Sequence, residues 1–294
     1  MESCVLALGF FDGVHLGHGG LLAKARQRAD ALGVSAAALT FDRHPASFIS
    51  GFPVPMLNTL TERANMMREL YGIDCVQVLP FDDDLRDMPW DIFAQELLLE
   101  RYNACHLICG HDYRFGARGE GDAQKLQEFC AKAGIGFDCI EEIRLEDETV
   151  SSTLIRKLLL AGETEKATRF LGHPHSMTGF VVGGRQVGRT LGIPTANLQA
   201  EAGILLPKKG VYAAKAYFDG NCYPAVVNIG TRPTFDGQSI TVEPWLLDFS
   251  GDLYGKKLRL EFHAYLRGER KFHTPQELRE EILRNAETTR DLLK

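Results

Sequence analysis

Apolar positions follow two different rhythms in this chain, one before about residue 175 and one after it. In the first part, short apolar runs at Val5–Phe10, Ala36–Phe41, Val76–Leu79, His106–Cys109 and Phe137–Ile140 predict strands. Between them the apolar spacing is helical. Leu21, Leu22, Ala25, Ala29 and Leu32 share one face, and Gly33 follows as a stop. The stretch Thr61–Tyr71 ends at Gly72, and Ala123–Ala133 ends at Gly134. Trp90–Tyr102 carries Phe93, Ala94, Leu97 and Leu98 at helical intervals. Repeated alternation of strand and helix predicts a parallel sheet covered by helices. Two further short helices, split at Gly162, are expected between Leu154 and Leu171.

After this the runs shorten and become rich in β-branched and aromatic residues: Thr178–Val182, Val211–Phe218, Tyr223–Ile229, Ile240–Leu247 and Leu258–Tyr265. Turn signals such as Asp219-Gly220-Asn221 and Asp236-Gly237 separate them, which predicts an antiparallel barrel or sandwich. One helix closes the chain, with Thr274 as cap, Pro275 at its first position and Glu277 completing a capping box. The fold class is therefore α/β plus β, in two domains, 1–172 and 173–294, divided in Gly172-His173-Pro174-His175. There is no internal repeat and no low-complexity tract.

Composition narrows this picture by exclusion. Among 294 residues, 45% are hydrophobic and 24% charged, as in ordinary globular proteins. A net charge of −6 without a basic stripe argues against nucleic acid as a partner. No stretch reaches the ~18 apolar residues of a membrane span, and Met1-Glu2-Ser3-Cys4 lacks the positive start of a signal peptide. The seven cysteines are irregularly spaced with no C-x-x-C pair, so reduced thiols in a cytoplasmic protein are expected.

The first candidate chemistry is His15-Leu16-Gly17-His18, between the first strand with its Asp12-Gly13 turn and the first helix. Two imidazoles and several backbone N–H groups at a helix N-terminus suit an anion, and would suit the transition state of attack on a nucleoside triphosphate. Val150-Ser151-Ser152-Thr153-Leu154-Ile155-Arg156 places three hydroxyls before a helix bearing an Arg one turn in. Those hydroxyls could cap the helix, or hold phosphates together with Arg156. Thr40–Pro45 and Gly110–Gly116 also end strands, and all four segments would meet along one sheet edge. In the second part, the glycine-rich stretch 179–198 reads as a hairpin or as a phosphate loop. Thr195 and Asn197 are two apart, so in an extended segment both could offer oxygens to Mg²⁺. Glu243, within an apolar strand, is either a solvent-facing residue or a general base for a hydroxyl nucleophile.

Four motifs together resemble the bifunctional prokaryotic riboflavin kinase/FMN adenylyltransferase family, over essentially the whole chain. They are F-D-G-V-H-L-G-H at 11–18, S-S-T-L-I-R at 151–156, G-R-x-L-G-I-P-T-A-N at 188–197 and N-I-G-T-R-P-T at 228–234. The resemblance implies an N-terminal Rossmann-like nucleotidyltransferase domain and a C-terminal antiparallel β-barrel riboflavin kinase domain with a closing helix. It implies that His15 and His18 contact ATP phosphates during adenylyl transfer to FMN, with Gly9, Phe11, Asp12, Gly13, Ser151, Ser152, Thr153 and Arg156 completing that nucleotide site. Asp112 would lie near flavin or nucleotide. In the kinase half, Gly183, Gly188 and Arg189 would contact nucleotide, Thr195 and Asn197 would bind Mg²⁺ with ATP, and Glu243 would deprotonate the 5′-hydroxyl of riboflavin. Arg267, Glu269 and Phe272 match the family's pattern near the flavin. The implied partners are riboflavin, FMN, FAD, ATP, ADP and pyrophosphate, with no nucleic acid and no membrane, in a monomer or weak homo-oligomer.

The chain departs from the family's pattern at four places. Trp245 stands where a His usually follows the catalytic Glu, and Pro244 between them removes a strand N–H. Asn285 stands where an Asp is expected, and Arg43 where a Pro is common. These departures keep two alternatives open: a chain in which only the adenylyltransferase half is active, and a flavin-binding regulatory protein without turnover.

Overall fold

The computed structural model describes residues 2–183, 192–234 and 237–294, and their side chains except at 232–234 and 237–239. Its contacts divide the chain into two compact units, Met1–Ser152 and Thr153–Lys294.

The first unit is built on five parallel strands: β1 (Cys4–Leu8), β2 (Ser35–Phe41), β3 (Cys75–Leu79), β4 (Ala104–Gly110) and β5 (Gly136–Ile140). Their order is β3-β2-β1-β4-β5, so the chain reverses its direction of travel across the sheet between β1 and β4. In such sheets ligands bind beyond the carboxyl ends of the strands at that switch point. Side chains alternate across the sheet. Val5, Ala7, Ala36 and Ala38 face α1 (Leu16–Leu32) together with Met67, whereas Leu6, Leu8, Leu39 and Leu107 face Leu98 and Leu126. The remaining helices are α2 (Pro45–Ser50), α3 (Leu60–Tyr71), α4 (Asp83–Asp87), α5 (Trp90–Ile92), which continues as a π-helix over Phe93–Arg101, and α6 (Ala123–Ala133). Gly33, Gly72 and Gly134 end their helices in left-handed geometry, as the pattern predicted. α2 and α4 escaped the periodicity because each is shorter than two turns and is held by a side-chain cap, His44 or Asp82. The two-residue strands β6 (Arg144–Leu145) and β7 (Glu148–Thr149) form a small hairpin that also gave no pattern.

The second unit contains a closed barrel of β8 (His175–Val182), β9 (Asn197–Ala200), β10 (Gly210–Phe218), β11 (Asn221–Thr234), β12 (Gly237–Leu246) and β13 (Lys257–Arg267). Closure resolves the choice between barrel and sandwich. Met177, Tyr212, Val227, Leu260 and Phe262 fill the interior. The sequence reading missed β9, a four-residue strand too short to show alternation. α7 (Ser152–Ala161) and α8 (Thr164–Leu171) are the expected pair split at Gly162. α8 packs on β8 and β13 with Ala167, Phe170 and Leu171 buried, so both helices fall with the barrel, although the sequence punctuation assigned them to the first domain. α7 begins at Ser152, so Ser152 and Thr153 lie in its first turn rather than ahead of it. The closing helix α9 (Pro275–Leu292) is capped by Thr274 as expected. The capping box is only half made, because the Glu277 carboxylate accepts from His273 N–H at 3.0 Å.

His175 on β8 is 2% exposed, and burial lowers its pKa from 6.5 to about 4. The unfolded chain therefore takes up a proton that the folded chain refuses. Stability from this group is complete above pH 6.5 and is lost as pH falls toward 4, by on the order of 3 kcal/mol in all. In urea unfolding followed by circular dichroism, His175→Gln is expected to flatten the decline between pH 6.5 and 4. An equal slope in variant and wild type would refute it.

Candidate functional site

In the first unit the carboxyl end of β1 runs into a turn of unusual backbone. Phe11, Gly13 and Val14 have φ of 58°, 82° and 42°. Positive φ is disfavoured for any residue with a Cβ and most of all for a β-branched one, so surrounding contacts must impose this turn. Several do. The Asp12 carboxylate accepts from Leu57 N–H at 2.9 Å, and the Asn58 side-chain oxygen accepts from Gly13 N–H at 3.3 Å. The Ser152 hydroxyl donates to the Asp12 carbonyl at 2.8 Å. Arg63 of α3, only 1% exposed, donates to the Phe10 carbonyl at 2.6 Å and to the Thr40 hydroxyl at 2.9 Å, and its guanidinium lies 4.3 Å from the centre of the Phe10 ring. Burial lowers the Arg63 pKa to about 10, with nearby Asp12 opposing, so the group remains a cation at neutral pH.

The turn delivers His15 as the N-cap of α1. His15 Nδ1 accepts from His18 N–H at 3.2 Å, which places the proton of a neutral His15 on Nε2. The two imidazoles are stacked, with centroids 3.6 Å apart and planes 15° from parallel. The His18 pKa falls well below 6.5, mainly through burial, then through His15 and Arg63. Gly17 keeps this packing possible, since a Cβ there would sit 3.0 Å from the His15 ring. The site therefore presents Nε2–H, helix N–H groups and a buried cation behind them, a set suited to a polyanion.

Other predicted residues are placed as follows. Asp12 is 1% exposed and its carboxylate braces the turn. Ser152 comes to the same turn, and the Phe10 ring meets His44 at 4.8 Å, so three of the four expected segments converge. Asp112 is exposed, just past the carboxyl end of β4. Thr153 is exposed and Arg156 half-buried within the second unit. The sequence reading missed Arg63 and Asn58, and named Thr40 only as the start of the segment 40–45. It also missed a cavity of about 440 Å³ lined by Phe41, Pro45, Phe81, Phe93, Arg114 and Phe115. Only the apolar residues just beyond the ends of β2, β3 and β4 hinted at that cavity.

The barrel's site lies on β12. Glu243 pairs in register with Asn228 and Trp245 with Val226, so Glu243 and Trp245 share a face. Both line a cavity of about 360 Å³ with Thr195, Arg267, Glu269, Phe272 and Asn285. A second cavity of about 520 Å³ is lined by Pro194, Thr195, Ala196, Pro244, Phe249 and Tyr254. Thr195 is in the wall of both. Asn197 opens β9 and lines neither. Pro244 costs the ladder little. Its carbonyl accepts from Ala196 N–H at 2.9 Å, on the side where β9 meets β12 only through Val242 and Leu198. Gly183 ends beyond β8 with open space around it, and Gly188 and Arg189 lie outside the described residues.

The segment after β13 is anchored by a residue the sequence reading missed. Glu281 of α9 pairs with Arg267 at 3.2 Å, Arg270 at 2.7 Å and Arg284 at 2.5 Å, and those contacts hold its carboxyl below the usual range. Arg270 in turn lies 4.7 Å from the Phe272 ring centre. In sequence Glu281 shows only an ordinary i,i+3 pair with Arg284 on a helix surface.

Comparison with known proteins agrees with this two-part construction. Residues 1–154 match the FAD synthetase family and residues 171–293 the riboflavin kinase family. A protein of Listeria monocytogenes named bifunctional riboflavin kinase/FMN adenylyltransferase is 34% identical over 289 residues, covering 97% of this chain and 91% of the relative. One of the same name from Pseudomonas fluorescens is 36% identical over 282 residues, covering 96% and 90%. A solved structure from Streptococcus pneumoniae, described as a macrolide-efflux protein, has a TM-score of 0.88 at 28% identity and covers 98% of this chain and 94% of that one. Among the described residues, no helix is long and apolar enough to cross a membrane.

Trp245 packs against Val211, Val226, Leu247 and Ala286 as well as lining the cavity. Trp245→Ala is therefore expected to lower the unfolding free energy by ~2 kcal/mol, read as a lower thermal midpoint. An unchanged midpoint would mean that the indole only fills the cavity.

Proposed function

Because the chain belongs to the bifunctional riboflavin kinase/FMN adenylyltransferase family, we propose that its barrel phosphorylates riboflavin to FMN with ATP and its first unit adenylylates FMN to FAD. What carries this reading is one chain holding two differently equipped sites: a braced histidine turn at the switch point of a parallel sheet, and a carboxylate, Glu243, in a barrel cavity whose wall shares Thr195 with a second cavity. Incubating the protein with riboflavin, ATP and Mg²⁺ and separating the flavins by chromatography tests it. FMN alone, FAD only from added FMN, or binding without turnover would select the narrower alternatives.

In the kinase step Glu243 takes the proton of the riboflavin 5′-hydroxyl as that oxygen bonds to the γ-phosphorus of ATP. The bond to ADP breaks and ADP leaves. Trp245 and Phe272 offer aromatic surface for the ring system, and Glu281 steadies Arg267 and Arg270 beside it. The second cavity, on the other side of Thr195, is the place for the nucleotide. The hard oxygens of Thr195 and Asn197 suit Mg²⁺, which keeps much of its shell from water and phosphate oxygens. When bound, the ion offsets phosphate charge.

In the adenylyl step a phosphate oxygen of FMN bonds to the α-phosphorus of ATP and pyrophosphate leaves. The nucleophile is already ionised, so no base is required. His15 donates from Nε2, and the buried Arg63 adds positive potential behind the turn. Ser151 and Ser152 extend the phosphate-binding rim. The cavity of about 440 Å³, with four phenylalanines and Arg114, suits the flavin of FMN. Net charge −6 supports small-molecule partners over nucleic acid, and the cysteine pattern supports a cytoplasmic setting. A monomer or weak homo-oligomer is proposed.

Two substitutions separate the activities. His18→Ala is expected to abolish conversion of FMN to FAD while FMN formation stays within about twofold, and parallel loss of both in a folded variant would contradict two independent sites. Glu243→Gln keeps shape without basicity, so kcat for FMN formation should fall by about 10²–10⁴ with FMN adenylylation unaffected. A fall of less than about threefold would leave Glu243 a strand residue without catalytic role.

A further inference from the structure

Three arginines line the cavity of about 440 Å³ in the first unit, and they are not equivalent. Arg86 is paired with Asp83 and with Asp87, each at 2.6 Å. Arg114 is paired with Asp122 at 3.2 Å. Arg118 is exposed, and among the described residues it makes no hydrogen bond or ion pair. The Asp87 carboxyl is held below the usual range first by its hydrogen bond from Arg86, and Arg118 adds only its distant charge. The loop that carries Arg118 is closed on itself. Phe115 and Gly121 exchange backbone hydrogen bonds at 3.1 and 2.9 Å, and Ala117 N–H donates to the Met88 carbonyl at 2.7 Å. Gly116 lies so close to Trp90 that a Cβ there would sit 2.6 Å from it. Within this pinned loop Arg118 adopts left-handed geometry, with φ 56° and ψ 18°. That geometry suits glycine or asparagine better than a long side chain. The arginine is thus unfavourable for the backbone and unpaired in the folded chain, yet it stands in the wall of a cavity with four phenylalanines.

We infer that Arg118 reads the phosphate of FMN, donating from its guanidinium to the phosphomonoester, and so sets the preference of the first unit for FMN over riboflavin; this rests on the adenylyl reading of that unit. The two flavins share the ring and the ribityl chain and differ in the phosphate alone. Aromatic walls therefore cannot tell them apart, whereas a free cation can. A planar guanidinium meets two phosphate oxygens at once. A phosphomonoester has three terminal oxygens, so two can be held while the third attacks. Arg86 and Arg114 are less suited, because each would first have to give up a carboxylate.

The test uses the full chain with ATP, Mg²⁺ and added FMN, and three variants, Arg118→Gly, Arg118→Asn and Arg118→Lys. Glycine and asparagine suit the left-handed backbone, so the thermal midpoints of those two variants should hold or rise. In both, KM for FMN in FAD formation should rise about tenfold or more. Arg118→Lys keeps the charge without the fork and should recover part of the loss. Formation of FMN from riboflavin should be unchanged. Lumiflavin, which carries the ring but neither ribityl chain nor phosphate, serves as a competitor of FMN, and its inhibition constant should stay within twofold of wild type. A KM for FMN within twofold of wild type in folded Arg118→Gly or Arg118→Asn overturns the assignment. So does a parallel rise in the lumiflavin constant, which would place the guanidinium on the ring. A wild-type chain that makes no FAD from FMN overturns the adenylyl reading and the assignment with it, so the two failures are told apart by the wild-type control.

Discussion

The first unit depends on one buried cation. Arg63 joins the Phe10 carbonyl to the Thr40 hydroxyl, and thereby ties the exit of β1 to its neighbour β2 beneath the histidine turn. The turn has three residues at positive φ, two of them with a Cβ, so left alone it would relax. A guanidinium away from water is itself unfavourable. Here it is offset by carbonyl and hydroxyl oxygens, the face of Phe10 and the nearby Asp12 carboxylate. The same charge lies beneath the turn proposed to bind phosphates. The group that fixes the geometry therefore also supplies the field, and it disfavours protonation of His18 in the ligand-free state.

In the second unit the controlling constraint is how β9 leaves the barrel. It pairs with β8 over four residues, but among the described residues its ladder with β12 is a single pair. The segment before it, carrying Thr195, thus passes along β12 with one backbone bond, from Ala196 to Pro244. That segment contributes to the walls of both cavities. A proline in β12 is compatible with this arrangement, because its nitrogen faces a side where the ladder is already broken. The departure at Pro244 therefore marks a feature of the barrel's construction more than damage to it.

Much of this was legible before any coordinates. All five parallel strands and the glycine stops of α1, α3 and α6 follow from apolar period and from the left-handed freedom of glycine. His15, His18 and Glu243 could be singled out because polar groups interrupted apolar runs at strand ends or within a strand. Arg63, Asn58 and Glu281 were not legible in this way. Each lies on or beside a helix where polar residues are unremarkable, and each matters only through partners or cavities far along the chain. The grouping of α7 and α8 by contacts differs from the sequence punctuation for a related reason. Gly172 and Pro174 do punctuate the chain, but the burial of Phe170 against the barrel is a tertiary fact that punctuation does not encode. β9 fell below the length at which alternation can be recognised.

The two sites differ in the way their nucleophiles differ. A hydroxyl must lose a proton to attack phosphorus, and the barrel supplies a carboxylate in its cavity. A phosphate monoester is already an anion. Its obstacle is repulsion from the triphosphate it approaches, which calls for donors and positive charge at a fixed place. In the proposed mechanism the histidine turn meets that need, with an Nε2–H set by the His15 cap, backbone N–H groups and the buried Arg63. A carboxylate placed in that turn would be counterproductive unless occupied, and the nearest one, Asp12, is 1% exposed with an oxygen engaged by the Leu57 backbone N–H. Under the proposed assignment of the two sites, the burial of Asp12 and the placement of Glu243 in a cavity wall obey one electrostatic rule: a carboxylate is kept from a site whose nucleophile is already charged and is present where the nucleophile must be made so.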